Sequence, residues 1–129
     1  MSFEYPQDLR YLDSHEYVRL DGDIATIGIT EFAVEELGDI VFLELPEING
    51  DLTKGERFGT IESVKAVEEL NSPVTGIVVE RNEELINSPE TVADDPYGEG
   101  WFLKVRVNHL DELDDTLTAE EYAAMVEGD

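Results

Sequence analysis

Gly59-Thr60-Ile61-Glu62-Ser63-Val64-Lys65-Ala66-Val67-Glu68-Glu69-Leu70 is the stretch on which the fold turns. Arg57 to Ser63 alternates in the manner of a strand, with Phe58 and Ile61 in it, and Val67 to Leu70 resumes as a second strand. Between them Val64-Lys65-Ala66 reads as a turn that puts a lysine at its tip. Such a lysine projects into water, away from any cleft. Schiff-base chemistry needs a neutral amine, usually made by burial, so a turn lysine amid Glu62, Glu68 and Glu69 is better suited to presentation to another protein.

Outward from this hairpin the chain keeps to short strands and marked turns. Tyr17 to Leu20 and Ile24 to Ile29 flank Asp21-Gly22-Asp23, a hairpin signal. Thr30 is placed to cap a short helix with Glu31 in its first turn, Gly38 at its end, and Phe32, Ala33 and Leu37 as its buried side. Ile40 to Leu45 is nearly continuous apolar sequence and predicts a buried strand stopped by Pro46. Asn49-Gly50-Asp51, Lys54-Gly55, Asn71-Ser72-Pro73 and Asp94-Asp95-Pro96-Tyr97-Gly98 are turns, with a strand at Gly76 to Val79 and a single helical turn after Ser88. Trp101 to Val107 alternates as a last strand, with Trp101, Leu103, Val105 and Val107 on one face. Thr118 and Glu121 form a capping box before Tyr122, Met125 and Val126, a stripe expected to pack on the sheet. The expectation is one mainly β domain over 1–129, a sandwich or partly closed barrel, with its core at about 11–108 and an acidic C-terminal helix at about 109–127.

Composition narrows the function. Cysteine is absent, which removes disulfides, thiol catalysis and thiolate metal sites. With 32 acids against 8 bases the net charge is -24, a surface that repels nucleic acid and anionic lipid. The acidity suits docking on basic patches of partners, or serves solubility alone. No apolar run spans a bilayer, and Met1 to Arg10 has neither a signal-peptide nor a transit-peptide pattern. A cytoplasmic location is expected, or a mitochondrial matrix if a presequence has been removed.

No catalytic or metal-binding set emerges. His15 and His109 are far apart and neither has a second histidine at ligand spacing. Ser14-His15-Glu16 holds triad residue types, but neighbours on an extended strand point to alternate faces. Asp111, Glu112, Asp114 and Asp115 lack the glycine-centred calcium loop and read as a solvated helix start.

Glu62-Ser63-Val64-Lys65-Ala66, continuing to Ser72-Pro73-Val74-Thr75-Gly76, resembles the lipoylation site of the glycine cleavage H-protein family. Ser14-His15-Glu16-Tyr17-Val18 resembles an early family segment that usually has Trp where Tyr17 stands. Ile27 to Ala33, Leu37 to Val41, Leu45-Pro46-Glu47, Asp95 to Gly98 and Gly100-Trp101 match in order, so the likeness runs from about Tyr11 to Tyr122. Val64 and Ala66 replace the methionines of biotin carriers. Ile48-Asn49-Gly50 departs from the family pattern, as does Ala93-Asp94.

The resemblance implies a lipoyl-carrier-like β-sandwich, a flattened barrel-sandwich hybrid with a short inserted helix and a C-terminal helix. It implies lipoate in amide linkage to Lys65 and a non-catalytic shuttle of the aminomethyl group. The implied partners are glycine decarboxylase (a pyridoxal phosphate enzyme), aminomethyltransferase, dihydrolipoyl dehydrogenase and lipoate-attaching enzymes. The alternative is a homologue that serves as a lipoate relay or binding module. A cationic amine on the arm calls for carboxylates or hydroxyls in a sheltering cleft, and Ser14, Glu16 and Glu69 are the expected set. Ser14 and Glu16, two apart on a strand, would share a face.

Overall fold

The structure, a computed structural model, describes residues 3–127. Nine strands build two sheets that do not close into one barrel. The larger is ordered β1-β2-β3-β9-β8-β5, from Arg10–Tyr11 (β1), Glu16–Asp21 (β2), Ile24–Ile29 (β3), Asp51–Leu52 (β5), Gly76–Arg81 (β8) and Leu103–Val107 (β9). The smaller is β4-β6-β7, from Ile40–Glu44 (β4), Arg57–Ser63 (β6) and Val67–Asn71 (β7). All pairings are antiparallel. Helices lie at Glu31–Leu37 (α1), Glu83–Asn87 (α2) and Ala119–Glu127 (α3), with 3₁₀ turns at Pro89–Ala93 and Leu110–Leu113.

Alternation along the strands makes the main core. Ala25, Ile27, Val78, Leu103 and Val105 from the large sheet meet Leu43, Ile61 and Leu70 from the small one, all buried. A second cluster sits where the N-terminal segment meets α3, with Leu9, Tyr11, Tyr17, Ala119 and Tyr122 buried together. Tyr11 and Tyr122 stack there at 4.8 Å. Tyr17 lies across Gly28, its partner on β3, where any Cβ would meet the ring at under 3 Å, and its hydroxyl donates to Pro96 O at 2.7 Å. The two ends of the described chain also meet, since Tyr5 OH donates to Glu127 Oε2 at 2.7 Å and Tyr11 bridges to Leu117.

Four expectations need correction. Phe32 is only half-buried, and Val34 takes its place on the inner side of α1. The run at Ile40 to Leu45 is not a buried strand. A bulge between Ile40 and Phe42 turns Val41 and Phe42 to the outside, at 53% and 47% exposure, and only Ile40, Leu43 and Leu45 face in. The C-terminal helix does not start near residue 109. Residues 110–113 form the 3₁₀ turn and α3 begins at Ala119, where the Thr118–Glu121 capping box does form. Its apolar stripe does pack on the large sheet, against Tyr11 of β1 and Tyr17 of β2, although Met125 stays exposed at 44%. Trp101 precedes β9, half-buried, under the Lys104 ammonium.

Candidate functional site

Lys65 stands at the tip of the β6–β7 hairpin on a turn fixed by its neighbours. The buried Ser63 hydroxyl oxygen accepts from Lys65 N at 3.2 Å and Ala66 N at 3.1 Å. Ser63 N donates to Ala66 O, and Val64 N donates to Asp39 O at the start of β4. Bonds of this kind contribute about 0.5–1.5 kcal/mol each, enough together to hold one turn shape. Ala66 packs back on the main core while Val64 and Lys65 face solvent. Glu62 lies half-exposed on β6 opposite Val67 and Phe42.

The three lysines differ in their surroundings. Lys54 is held by Glu112 O and Asp115, and Glu112 in turn accepts from Thr75 N and Oγ1, so two of the C-terminal acids are spent on a clamp. Lys104 pairs with Glu80 at 3.8 Å and lies over Trp101. The Lys65 ammonium has no ion pair among the described residues. Its stem lies over Gly38, where a Cβ would sit 3.8 Å from Lys65 Cε; Gly38, at φ 82° and ψ -137°, ends α1 in a conformation that suits only glycine.

Beside this lysine opens a cleft of about 620 Å³ between β7, α1, the start of β2 and the last turn of α3. Its apolar walls include Ile29, Phe32, Leu37, Ile61, Met125 and Val126. Acids stand around it, namely Asp13, Glu16, Glu36, Glu68 and Glu69. The volume and the mixed lining fit a long aliphatic arm that ends in a cationic group.

Ser14, Glu16 and Glu69 are brought together here, though not all as expected. Ser14 lies in a turn, outside the strand, and reaches Glu16 because His15 takes a positive φ of 84°. Ser14 Oγ donates to Glu16 Oε1 at 2.5 Å, and Asn71 N donates to Glu16 Oε2 at 2.7 Å, so Glu16 ties the large sheet to the small one. Glu16 is 1% exposed. Burial pushes its carboxyl from 4.5 up to about 7, and the bonds from Asn71 and Ser14 pull it back only in part. Glu69 borders the cleft, but so does Glu68, which the sequence alone did not separate from it. The register sets Glu68 opposite buried Ile61 and Glu69 opposite Thr60, on alternate faces of β7.

His15 and Tyr122 brace the wall. Tyr122 OH lies 2.7 Å from both His15 Nδ1 and Thr30 Oγ1, the oxygen that caps α1. Burial lowers the His15 pKa against the pull of Asp13, Glu36 and Glu68. Met125 and Val126 follow Tyr122 by one turn of α3, and spacing on a helix predicts that stripe without revealing what it faces. Tyr122→Phe keeps the stacked ring but strips two bonds from buried partners. The expected cost is about 2 kcal/mol, read as a lower thermal midpoint, with faster amide hydrogen exchange at Met125 and Val126. A melt and exchange rates equal to the parent's would show that the hydroxyl does not hold the wall.

No helix among the described residues is long and apolar enough to cross a membrane, and no group of three or more His, Asp or Glu there could hold a metal ion. Comparison with known proteins gives a consistent picture. The family described as Glycine cleavage H-protein matches residues 9–129. The chain is 81% identical to a glycine cleavage system H protein of Nostoc punctiforme over 129 residues, all of both chains. It is 68% identical to that of Rippkaea orientalis over 130 residues, covering all of this chain and 98% of the other. Its fold is similar to the crystal structure of a glycine cleavage system H protein from Mycobacterium marinum, with a TM-score of 0.86 and 40% identity over 93% of this chain and 97% of that one.

Proposed function

Since the chain belongs to the glycine cleavage H-protein family, we propose that Lys65 is the residue on which it carries its lipoyl group, and that the adjoining cleft shelters the loaded arm. Members of the family are carriers and not enzymes; they bear covalently attached lipoate, and this chain is a lipoyl-bearing shuttle of glycine cleavage. The family works with glycine decarboxylase and aminomethyltransferase. Docking of both enzymes on this chain, reoxidation by dihydrolipoyl dehydrogenase, modification by lipoate-attaching enzymes and a cytoplasmic location belong to the proposal. Cyanobacterial relatives support the last.

One observation carries the assignment. Among the described residues Lys65 is the lysine without an ion pair, on a stapled hairpin, and its stem lies over Gly38, the neighbour of the cleft-lining Leu37. When bound, the lipoyl group would supply the sulfur on which the aminomethyl unit is held between the decarboxylation that makes it and the transfer of its carbon to tetrahydrofolate, the nitrogen leaving as ammonia. The protein's part is to present, receive and exclude water. Ser63 fixes where the arm begins. Ile29, Phe32 and Leu37 offer an apolar wall, and Met125 and Val126 face them with a second. At the polar end Glu69 stands at the mouth, with Glu68 beside it. Ser14 Oγ, while donating to Glu16, keeps lone pairs that accept from a cationic amine, and Glu16 behind it ionises near neutrality. Charge-assisted bonds of this sort contribute roughly 1.5–3 kcal/mol each.

Peptide mass mapping after expression with a lipoate-attaching enzyme is the direct test. The expected result is one lipoyl group, on the peptide that holds Lys65. A lipoyl group on Lys54 or Lys104 in its place would refute the assignment.

A further inference from the structure

The Lys65 hairpin has a second face, turned away from the cleft, and that face is apolar where water should favour polar groups. Paired residues on antiparallel strands share a side, so Phe42, Glu62 and Val67 form one row across the outside of the small sheet. Val67 is 64% exposed and Phe42 47%. Val64 at the turn, 71% exposed, and Val41 at the bulge of β4, 53% exposed, extend the row around Lys65. The next row is Glu44, Thr60 and Glu69, so the apolar strip runs beside acids. Apart from Lys65, the base on these three strands is Arg57 at the far end, bonded to Thr60 Oγ1. A contiguous exposed apolar patch marks an interaction site more often than chance exposure does.

Resting on the assignment of Lys65 as the modified lysine, we propose that this outer strip, Val41, Phe42, Val64 and Val67, is the docking surface for the lipoate-attaching enzyme, whose matching face is an apolar hollow rimmed by lysine or arginine. Reach selects that partner. An unmodified lysine has only a four-carbon stem, so an enzyme acting on its nitrogen must press against the hairpin. Its footprint then takes in the outer side of that hairpin, with Val64 next to Lys65 on the turn, Val67 at the start of β7, and Phe42 and Val41 on the neighbouring strand β4. Enzymes that meet the lipoylated carrier are served by a longer arm and can stand off. The charge pattern selects the rim, since an apolar strip amid Glu44, Glu62 and Glu69 complements bases and disfavours acids. None of the four lines the cleft, and the two surfaces meet at Glu69, which stands in the next outer row and also borders the cleft mouth.

The test uses the full unmodified chain, a purified lipoate ligase, ATP and lipoic acid, with lipoylation followed by intact mass. Phe42→Ser with Val67→Ser should raise KM for the carrier about tenfold with kcat unchanged. Leu20→Ser with Ile48→Ser, exposed apolar residues elsewhere, should leave both unchanged. Once fully lipoylated, the Phe42→Ser, Val67→Ser protein should serve the decarboxylase with a KM equal to the parent's, which also shows that it is folded. An unchanged ligase KM, with Lys65 the residue modified, would overturn the docking surface alone. A raised decarboxylase KM beside an unchanged ligase KM would assign the strip to that enzyme and overturn the proposal. Modification of a different lysine in the unmutated chain would overturn the proposal together with the assignment beneath it.

Discussion

Lys65→Arg leaves a folded protein that supports no glycine cleavage above background. The side chain at 65 is exposed, and the turn is held by Ser63, Asp39 and Ala66 through backbone groups that the substitution does not touch. Stability should therefore move by no more than about 0.5 kcal/mol, as for other surface substitutions. Charge is kept, but a guanidinium cannot become the amide that tethers the arm. Superimposable melts with no lipoyl mass gain and no shuttle activity are the expected set. Activity that survived in a protein proven to carry arginine at 65 would place the arm on another residue.

Glu16→Gln should produce the largest change in pH response. The unfolded chain releases the Glu16 proton near 4.5, whereas burial in the folded chain holds it to about 7. Between those values the folded protein keeps a proton that the unfolded one has lost. Stability therefore falls as pH rises through that window, and the full cost is present above it. At about 1.36 kcal/mol per pH unit the cost is roughly 3 kcal/mol. Glutamine has the same shape and no charge, can still accept from Asn71 N, and can donate to Ser14 Oγ in reverse of the present bond. At pH 8 the variant should melt higher than the parent by on the order of 10 °C, and at pH 4 the two should nearly coincide. The difference between the two curves isolates Glu16, since the other acids contribute to both. Parallel curves from pH 4 to 8 would mean that the carboxyl titrates as an exposed one does. The same variant should lose its aminomethyl load to hydrolysis sooner, because the cleft has given up the negative charge that answers the amine. Stability gained at function's expense is the mark of a group kept for its chemistry.

Much of this was legible in the sequence, and the failures have physical causes. The β2–β3 and β6–β7 hairpins, the Thr30 cap of α1, the Thr118–Glu121 capping box and the lysine turn are local devices. Each is decided by residues within a few positions. Phe32, by contrast, has helical spacing for the core, yet the cleft cuts in beside it, and no local pattern announces a cleft. Val41 and Phe42 read as buried because apolar sequence was equated with interior; the bulge that turns them out depends on pairing with β6. Helix α2 was missed because five residues with one buried side chain, Leu85, carry no periodicity. Its start rests on Asn82, whose amide also bonds the distant Glu99 and Trp101 carbonyls. The site divides in the same way. Lys65 is fixed by its own turn, whereas the bond from Asn71 to Glu16 spans 55 positions and only the folded chain shows it.

The meeting of Tyr5 with Glu127 has a practical bearing on how the protein is handled. Tyr5 and Glu127 both lie at α3, whose Met125 and Val126 line the cleft. An affinity tag or fused enzyme attached at either end would start close to that mouth and compete for the same space. The closeness of the ends also offers the remedy, because a short linker could join them. A circular permutant reopened at Asp21-Gly22, at the opposite end of β2 from Glu16, would carry its fusions on the side of the molecule away from the lipoyl arm.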